Sequence, residues 1–242
     1  MEHIVWFIIL SLIAEIIGTI GGFGSSLLFV PIAGYFLDFH SVLGITALFH
    51  LASNVSKIAL FRKGFDKKLI IQMGIPSVFF VAVGAYFSQF LESKLLEIVL
   101  AAFLMIISVF LYVNKTFSLK PTTSNSVAGG AISGLCAGLL GTGGAIRGLS
   151  LAAFNLEMNV FIATSAIIDF GIDFTRSAVY ISNGFVHTHD LYLIPILVGI
   201  GFIGTYIGKK ILGYFSEKQF KLLVLVLVFI VGVITMLKYL LS

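Results

Sequence analysis

The stretch G-T-I-G-G-F-G-S, Gly18 to Ser25, returns as G-L-L-G-T-G-G-A, Gly138 to Ala145, in a chain that is otherwise almost continuously apolar. The register persists beyond these strings. Gly64-Phe65 matches Gly184-Phe185, and Gly84-x-Tyr86 matches Gly204-x-Tyr206, at one offset of 120 residues. Two copies of one structural unit explain this spacing, and glycine clusters at corresponding places in the halves of a membrane protein point to a transport site. Each cluster splits its apolar stretch, Ile4 to Leu37 in the first copy and Ser126 to Phe154 in the second, into arms of roughly a dozen to seventeen residues. At 1.5 Å per residue such arms reach about 18–25 Å, short of a hydrocarbon core of about 30 Å. They suit either a hairpin that dips into the bilayer and returns, or two short, steep crossings.

Composition sets the class. With 59% hydrophobic residues, 11% charged and a mean hydropathy of +1.10, the 242-residue chain has too little polar surface to cover a soluble globule. It reads as an all-α polytopic membrane protein whose immediate partner is the lipid bilayer. A formal charge of +4 and a pI near 9.1 do not imply nucleic acid, because the 15 Lys and Arg sit mainly in loops between apolar segments. The single cysteine, Cys136, reads as a small packed residue, and no residue pattern asks for a cofactor. Met1-Glu2-His3 lacks a basic leader and no A-x-A-like site follows, so the first apolar segment reads as a retained helix.

Segments of about 20 residues, enough to cross a bilayer, run from Val42 to Phe61, Leu69 to Leu91, Leu95 to Val113, Asn159 to Ser182, Leu191 to Tyr214 and Phe220 to Leu241. That gives three crossings per half, with a first repeat at 1–113, a linker at 114–125 and a second repeat at 126–242. Arg62, Lys63, Lys67 and Lys68 make the loop after the first crossing cytoplasmic, whereas no Lys or Arg lies between Ser177 and Gly208. The next loops reverse the pattern, with Lys94 alone against Lys209, Lys210, Lys218 and Lys221. The halves are therefore expected to be inverted, each a glycine-tipped hairpin plus three transmembrane helices. With the linker, which carries Lys115 and Lys120, inside, each hairpin contributes an even number of crossings, and both termini face outside.

At each glycine tip the second arm points its N-terminus, with unpaired N–H groups and partial positive charge, into the membrane interior. An anion is the natural guest. The candidate binding residues are Gly21, Gly22, Gly24, Ser25 and Ser26 in the first copy and Gly141, Thr142, Gly143, Gly144 and Arg147 in the second. The competing reading makes the glycines packing residues, as in small-xxx-small patterns. Arg147 either grips an oxyanion with its fork or serves as a snorkelling or ion-paired structural residue. Asp169, Asp173 and Arg176, spaced four and three apart, share one helical face. Asp173 and Arg176 neutralise each other, leaving Asp169 without a local partner as the coupling candidate. His50, Asn54 and Lys57 repeat the four-then-three spacing in the first copy: His50 and Asn54 as hydrogen-bonded packing residues that are also gating candidates, Lys57 as a snorkelling end residue. Glu15 is a further intramembrane acid. His187 and His189, two histidines without further ligands, read as solvated loop residues and not as a metal site.

These residues carry a resemblance. The glycine hairpin followed by Val30-Pro31, the string Gly138 to Ala145, the G-x-Y repeats and the inverted halves resemble the TauE/SafE family of sulfite exporters and organosulfur permeases, over nearly the whole chain. Leu151 stands where the second copy would match Pro31. The resemblance implies a bacterial or archaeal cytoplasmic-membrane transporter, not an enzyme, of small sulfur-containing anions such as sulfite, sulfoacetate or thiosulfate, with Gly21 to Ser25 and Gly141 to Gly144 as substrate-contacting turns. Export needs no coupling ion, because each negative charge leaving a negative interior gains about 2.3 kcal/mol per 100 mV. A coupled importer is the alternative. An anion channel and an intramembrane protease built on Ser25 or Ser26 with His50 are more distant ones.

Overall fold

The computed structural model describes residues 2–22, 24–114, 119–212, 214 and 217–240. Helices follow one another as α1 (Glu2–Gly21), α2 (Ser26–Ala33), α3 (Phe39–Leu60), α4 (Lys67–Ser88), α5 (Ser93–Val113), α6 (Thr123–Leu140), α7 (Gly144–Ala152), α8 (Met158–Ser182), α9 (Leu193–Ile211) and α10 (Glu217–Leu240). Among the described residues there is no strand. Among the described residues six helices are long and apolar enough to cross a membrane: α1 from Ile4, α3, α4, α5, α8 and α9. The remaining expected crossing falls on α10, where Val228–Leu237 is a shorter apolar helix among the described residues. Lys115 and the side chains of Lys218 and Lys221 lie outside the described residues.

Polar residues at helix starts set the boundaries. Asp38, Asp66 and Thr122 accept from the amides of Ser41, Leu69 and Asn125 at 3.1, 3.0 and 3.2 Å, capping α3, α4 and α6. Inside α4 a π-turn, Ile70–Gly74, sits just before Pro76, whose missing N–H and ring disturb the regular ladder.

The hairpin arms are unequal, which corrects the expectation of two short arms. The first arms, α1 and α6, have 20 and 18 residues, and the return arms, α2 and α7, only 8 and 9. At about 30 Å, α1 spans a whole hydrocarbon core. The physical reason is that the first glycine of each string does not break its helix. Gly18 stays helical and lets the return arm close on it, since an added Cβ would lie 2.3 Å from the Ser25 backbone nitrogen. The break comes at Gly22 and Gly24 in the first copy and at Gly141 in the second, whose φ of 67°, 84° and 74° favour glycine. Gly141 is the left-handed C-cap of α6, its N–H bonding to the Ala137 carbonyl at 3.1 Å. The chain then returns to the end where α1 began, with the Phe36 ring 5.3 Å from Phe7.

Side-chain contacts fix the helix directions. Asn54 meets Asp173 and His50 meets Arg176, so α3 and α8 run antiparallel. Gly204 and Gly208 lie against Glu15 and Thr19, so α9 runs parallel to α1. Added Cβ atoms at Gly130, Gly134 and Gly138 of α6 would lie 2.3, 2.3 and 2.4 Å from the carbonyls of Met73, Ser77 and Val81 in α4, so these helices pack backbone to backbone and also run parallel. The long arm of each hairpin thus lies on a crossing from the other half of the chain. Corresponding residues make corresponding contacts: Gly84 abuts the Leu135 carbonyl as Gly204 abuts Glu15.

One end of the bundle is basic. Lys209 donates to the Leu60 carbonyl at 2.6 Å, bringing the Lys209-Lys210 end of α9 beside the loop of Arg62 and Lys63. The opposite end carries Asp38, His40, His187 and Asp190, with Ser41 Oγ 2.7 Å from His187 Nδ1.

Candidate substrate site between the hairpin tips

The two glycine tips meet. Ser26 Oγ lies 3.1 Å from Thr142 Oγ1, a hydrogen bond between positions far apart in sequence. A small polar cavity opens beside this contact. Gly24, Ser25 and Ser26 line it from the first tip, and Gly141, Gly143, Gly144 and Arg147 from the second. His50, Asn54 and Lys57 of α3 and Asp169, Asp173 and Arg176 of α8 add polar side chains to the wall, and Ala137 and Ile172 add apolar ones. Most sequence-derived candidates are therefore gathered round one space. Thr142 stands just behind it, fully buried, and Gly22 borders a second cavity that shares Gly24, Lys57 and Asp169 and continues toward Ile162 and Ala166. Gly21 ends α1 and lines neither.

The second tip is rigidly held. Ser133 Oγ donates to the Gly143 carbonyl at 2.9 Å, and a Cβ at Gly143 would lie 2.1 Å from the Ser133 carbonyl oxygen. Arg147, in the first turn of α7 and only 3% exposed, donates from Nε to Ser165 Oγ at 3.0 Å and pairs through Nη1 with Asp169. Its Nη2 turns toward the first tip, 3.7 Å from where a Cβ on Gly24 would sit. One guanidinium therefore faces the cavity that both tips line.

Two expectations about charge are corrected here. Asp169 is not without a partner, because α7 folds back along α8 and delivers Arg147 to it. Lys57 does not snorkel. Its ammonium lies 2.9 Å from Glu15 Oε1 and donates to Ser53 Oγ at 2.7 Å. Glu15, fully buried, also accepts from Ser25 at 2.5 Å, Thr205 at 3.0 Å, Thr19 at 3.2 Å and from Ser53. These donors offset the desolvation of a buried carboxylate that one ion pair would not cover. Glu15 does not line the cavity; its hydrogen-bond partner Ser25 does. Ser53, Thr205, Thr19 and Ser165 escaped the sequence reading. A small hydroxyl residue in an apolar segment was their only signal.

Asp173 and Arg176 pair as the spacing predicted, Nε to Oδ1 at 2.7 Å, and Asn54 donates to the other Asp173 oxygen at 2.6 Å. Arg176 also donates from Nη1 to the Gly141 carbonyl at 2.8 Å, capping the C-terminal end of α6 where the helix dipole is negative. His50 bridges this group to the first tip. Because Ser25 Oγ donates to Glu15, the contact of 3.0 Å to His50 requires Nε2–H as donor. Nδ1 is then a lone pair, accepting from Arg176 Nη2 at 3.2 Å.

The sulfite exporter TauE/SafE family model matches residues 7–235, nearly the whole chain. The chain belongs to that family. Membership makes it a multi-pass membrane protein of an anion-transporter family, which agrees with the apolar helices around the polar centre. No curated protein and no solved structure matches the chain.

Proposed function

We propose that this TauE/SafE protein carries small sulfur oxyanions or organosulfonates across a bacterial or archaeal cytoplasmic membrane, holding the anion between the two hairpin tips. The observation that carries this is the meeting of the tips at Ser26 and Thr142 with Arg147 facing the cavity that they line. Two helix N-termini, hydroxyls and a guanidinium converge where an oxyanion would be held from both halves at once.

The charges around the cavity balance, Lys57, Arg147 and Arg176 against Glu15, Asp169 and Asp173. An entering anion must therefore draw a cation away from a carboxylate. Arg147 and Asp169 are the pair that yields, since the Asp169 side chain is 17% exposed against 0% for Glu15 and 5% for Asp173. The Asp169 carboxylate stands in for the substrate oxyanion, and either displacement by substrate or protonation frees the guanidinium. Export down the membrane potential is the primary reading. Proton-coupled uptake is the second, favoured by the Arg147–Asp169 pair.

Alternating access follows from reading the halves as inverted repeats that rock about this site. The antiparallel α3 and α8, the matched glycine contacts and the gathering of basic loops at one end support that reading, with the basic end cytoplasmic and both termini outside. Ser25 and His50 do lie within reach of each other, yet hydrolysis is not their chemistry. A general-base histidine must carry positive charge once it takes the serine proton, and here the Arg176 guanidinium on Nδ1 disfavours that imidazolium.

Thermal stabilisation of purified protein against sulfite, thiosulfate and sulfoacetate tests the substrate class. Saturable stabilisation by at least one, lost in Arg147→Ala, is expected. Equal response of wild type and variant would remove the tip site.

A further inference from the structure

The loop between α8 and α9 holds a cluster that the anion site does not use. His187, His189 and Asp190 each offer one ligand atom, and these atoms lie within 4.8 Å of one another. Asp190 closes the 3₁₀ turn Thr188–Asp190, is 2% exposed, and its Oδ2 makes no hydrogen bond among the described residues. A buried carboxylate oxygen without a donor is a costly arrangement that calls for an occupant. Oδ2 lies 3.7 Å from His187 Nδ1, and Oδ1 lies 3.5 Å from His189 Nε2. From the start of α3, Asp38 Oδ2 approaches the same His187 nitrogen at 3.9 Å. These are long for hydrogen bonds. They are close to the separation between ligands of one tetrahedral zinc ion, about 3.3 Å for bonds of 2.0–2.1 Å.

We propose that His187, His189, Asp190 and Asp38 form a binding site for a divalent transition cation, with zinc the best match to two imidazoles and two carboxylates. His187 Nδ1 exchanges its bond to Ser41 Oγ, now 2.7 Å, for the metal. Entry is open to water, because the His189 and Asp38 side chains are 74% and 54% exposed. No Lys or Arg lies between Ser177 and Gly208 to repel a cation. Two histidines alone make a poor site, and what the sequence concealed was the burial of Asp190 and the arrival of Asp38 from the other half. A bound ion ties the start of α3 to the loop after α8, where Gly44 already lies against Phe185 and Val186.

The test uses full-length protein in detergent, freed of any polyhistidine tag and titrated with zinc or cobalt(II) alone. One equivalent of zinc is expected to bind saturably and raise the melting temperature, and cobalt is expected to give the visible bands of a four-coordinate site. His189→Ala, a change at an exposed position that leaves folding intact, should weaken zinc at least about tenfold, the loss typical of a disturbed metal site. His40→Gln should not, because that ring stacks on Phe185 at 4.2 Å and faces the Ser88 carbonyl. Absence of saturable binding near one equivalent, or unchanged affinity in His189→Ala, overturns the proposal.

Discussion

Arg147 is the side chain on which the anion site turns, and its geometry makes sharp predictions. Arg147→Ala should weaken substrate binding by about 1.5–3 kcal/mol through loss of charge-assisted hydrogen bonds. Arg147→Lys should restore only part, because an ammonium cannot hold Ser165 and an oxyanion together with one planar fork; titration calorimetry or melting shifts measure both. Asp169→Asn keeps the shape and loses the charge. If the carboxylate competes with substrate for Arg147, this variant should bind the anion more tightly and lose the pH dependence of transport, and an unchanged pH profile would demote Asp169 to structure. Gly24→Val should abolish binding while the protein remains inserted, because its φ of 84° excludes a β-branched residue. The glycines, the serines and Arg147 were legible because polar or flexible residues stand out in an apolar chain. The pairings of Lys57 with Glu15 and Arg147 with Asp169 were not, since a helical face predicts neighbours three and four residues apart and these partners arrive from other helices.

Among the elements, the hairpins were legible in position and kind but not in proportion. A glycine run reads alike whether its residues turn the chain or admit a neighbour, and only the fold separates Gly18 and Gly138, which pack, from Gly24 and Gly141, which turn. The contact between tips should be measurable as coupling. Ser26→Ala and Thr142→Val are expected to show a non-additive stability change of about 0.5–1.5 kcal/mol in a double-mutant cycle, the range for one hydrogen bond. Gly134→Leu should prevent α4 and α6 from closing, because the methyl position alone already meets the Ser77 carbonyl at 2.3 Å. For the α3 cap, burial pushes the Asp38 carboxyl up, but the Ser41 hydrogen bonds and the nearby His187 and His40 outweigh it and hold it below the usual carboxylate range. Since the shift is downward, the cap contributes fully above the ordinary carboxylate pKa and is lost only as pH falls through the lower folded value.

For the whole molecule, polarity along the bundle axis is the feature that loop charges anticipated best. Single cysteines in a Cys136→Ala background should be labelled at position 65 only from the cytoplasm and at position 188 only from outside, and equal sidedness would end the inverted-repeat reading. What composition could not disclose is that α1 lies on α9 and α6 on α4. That crossing-over has a consequence for biogenesis. When the first half leaves the ribosome, Glu15 can reach Lys57 and Ser53, but Thr205 has yet to be made, and α1 has no α9 to lie on. The N-terminal helix must therefore wait in the bilayer, provisionally docked, until almost the last helix is synthesised. Two separately expressed halves cut in the 114–125 linker should each be short-lived alone and rescue one another when made together.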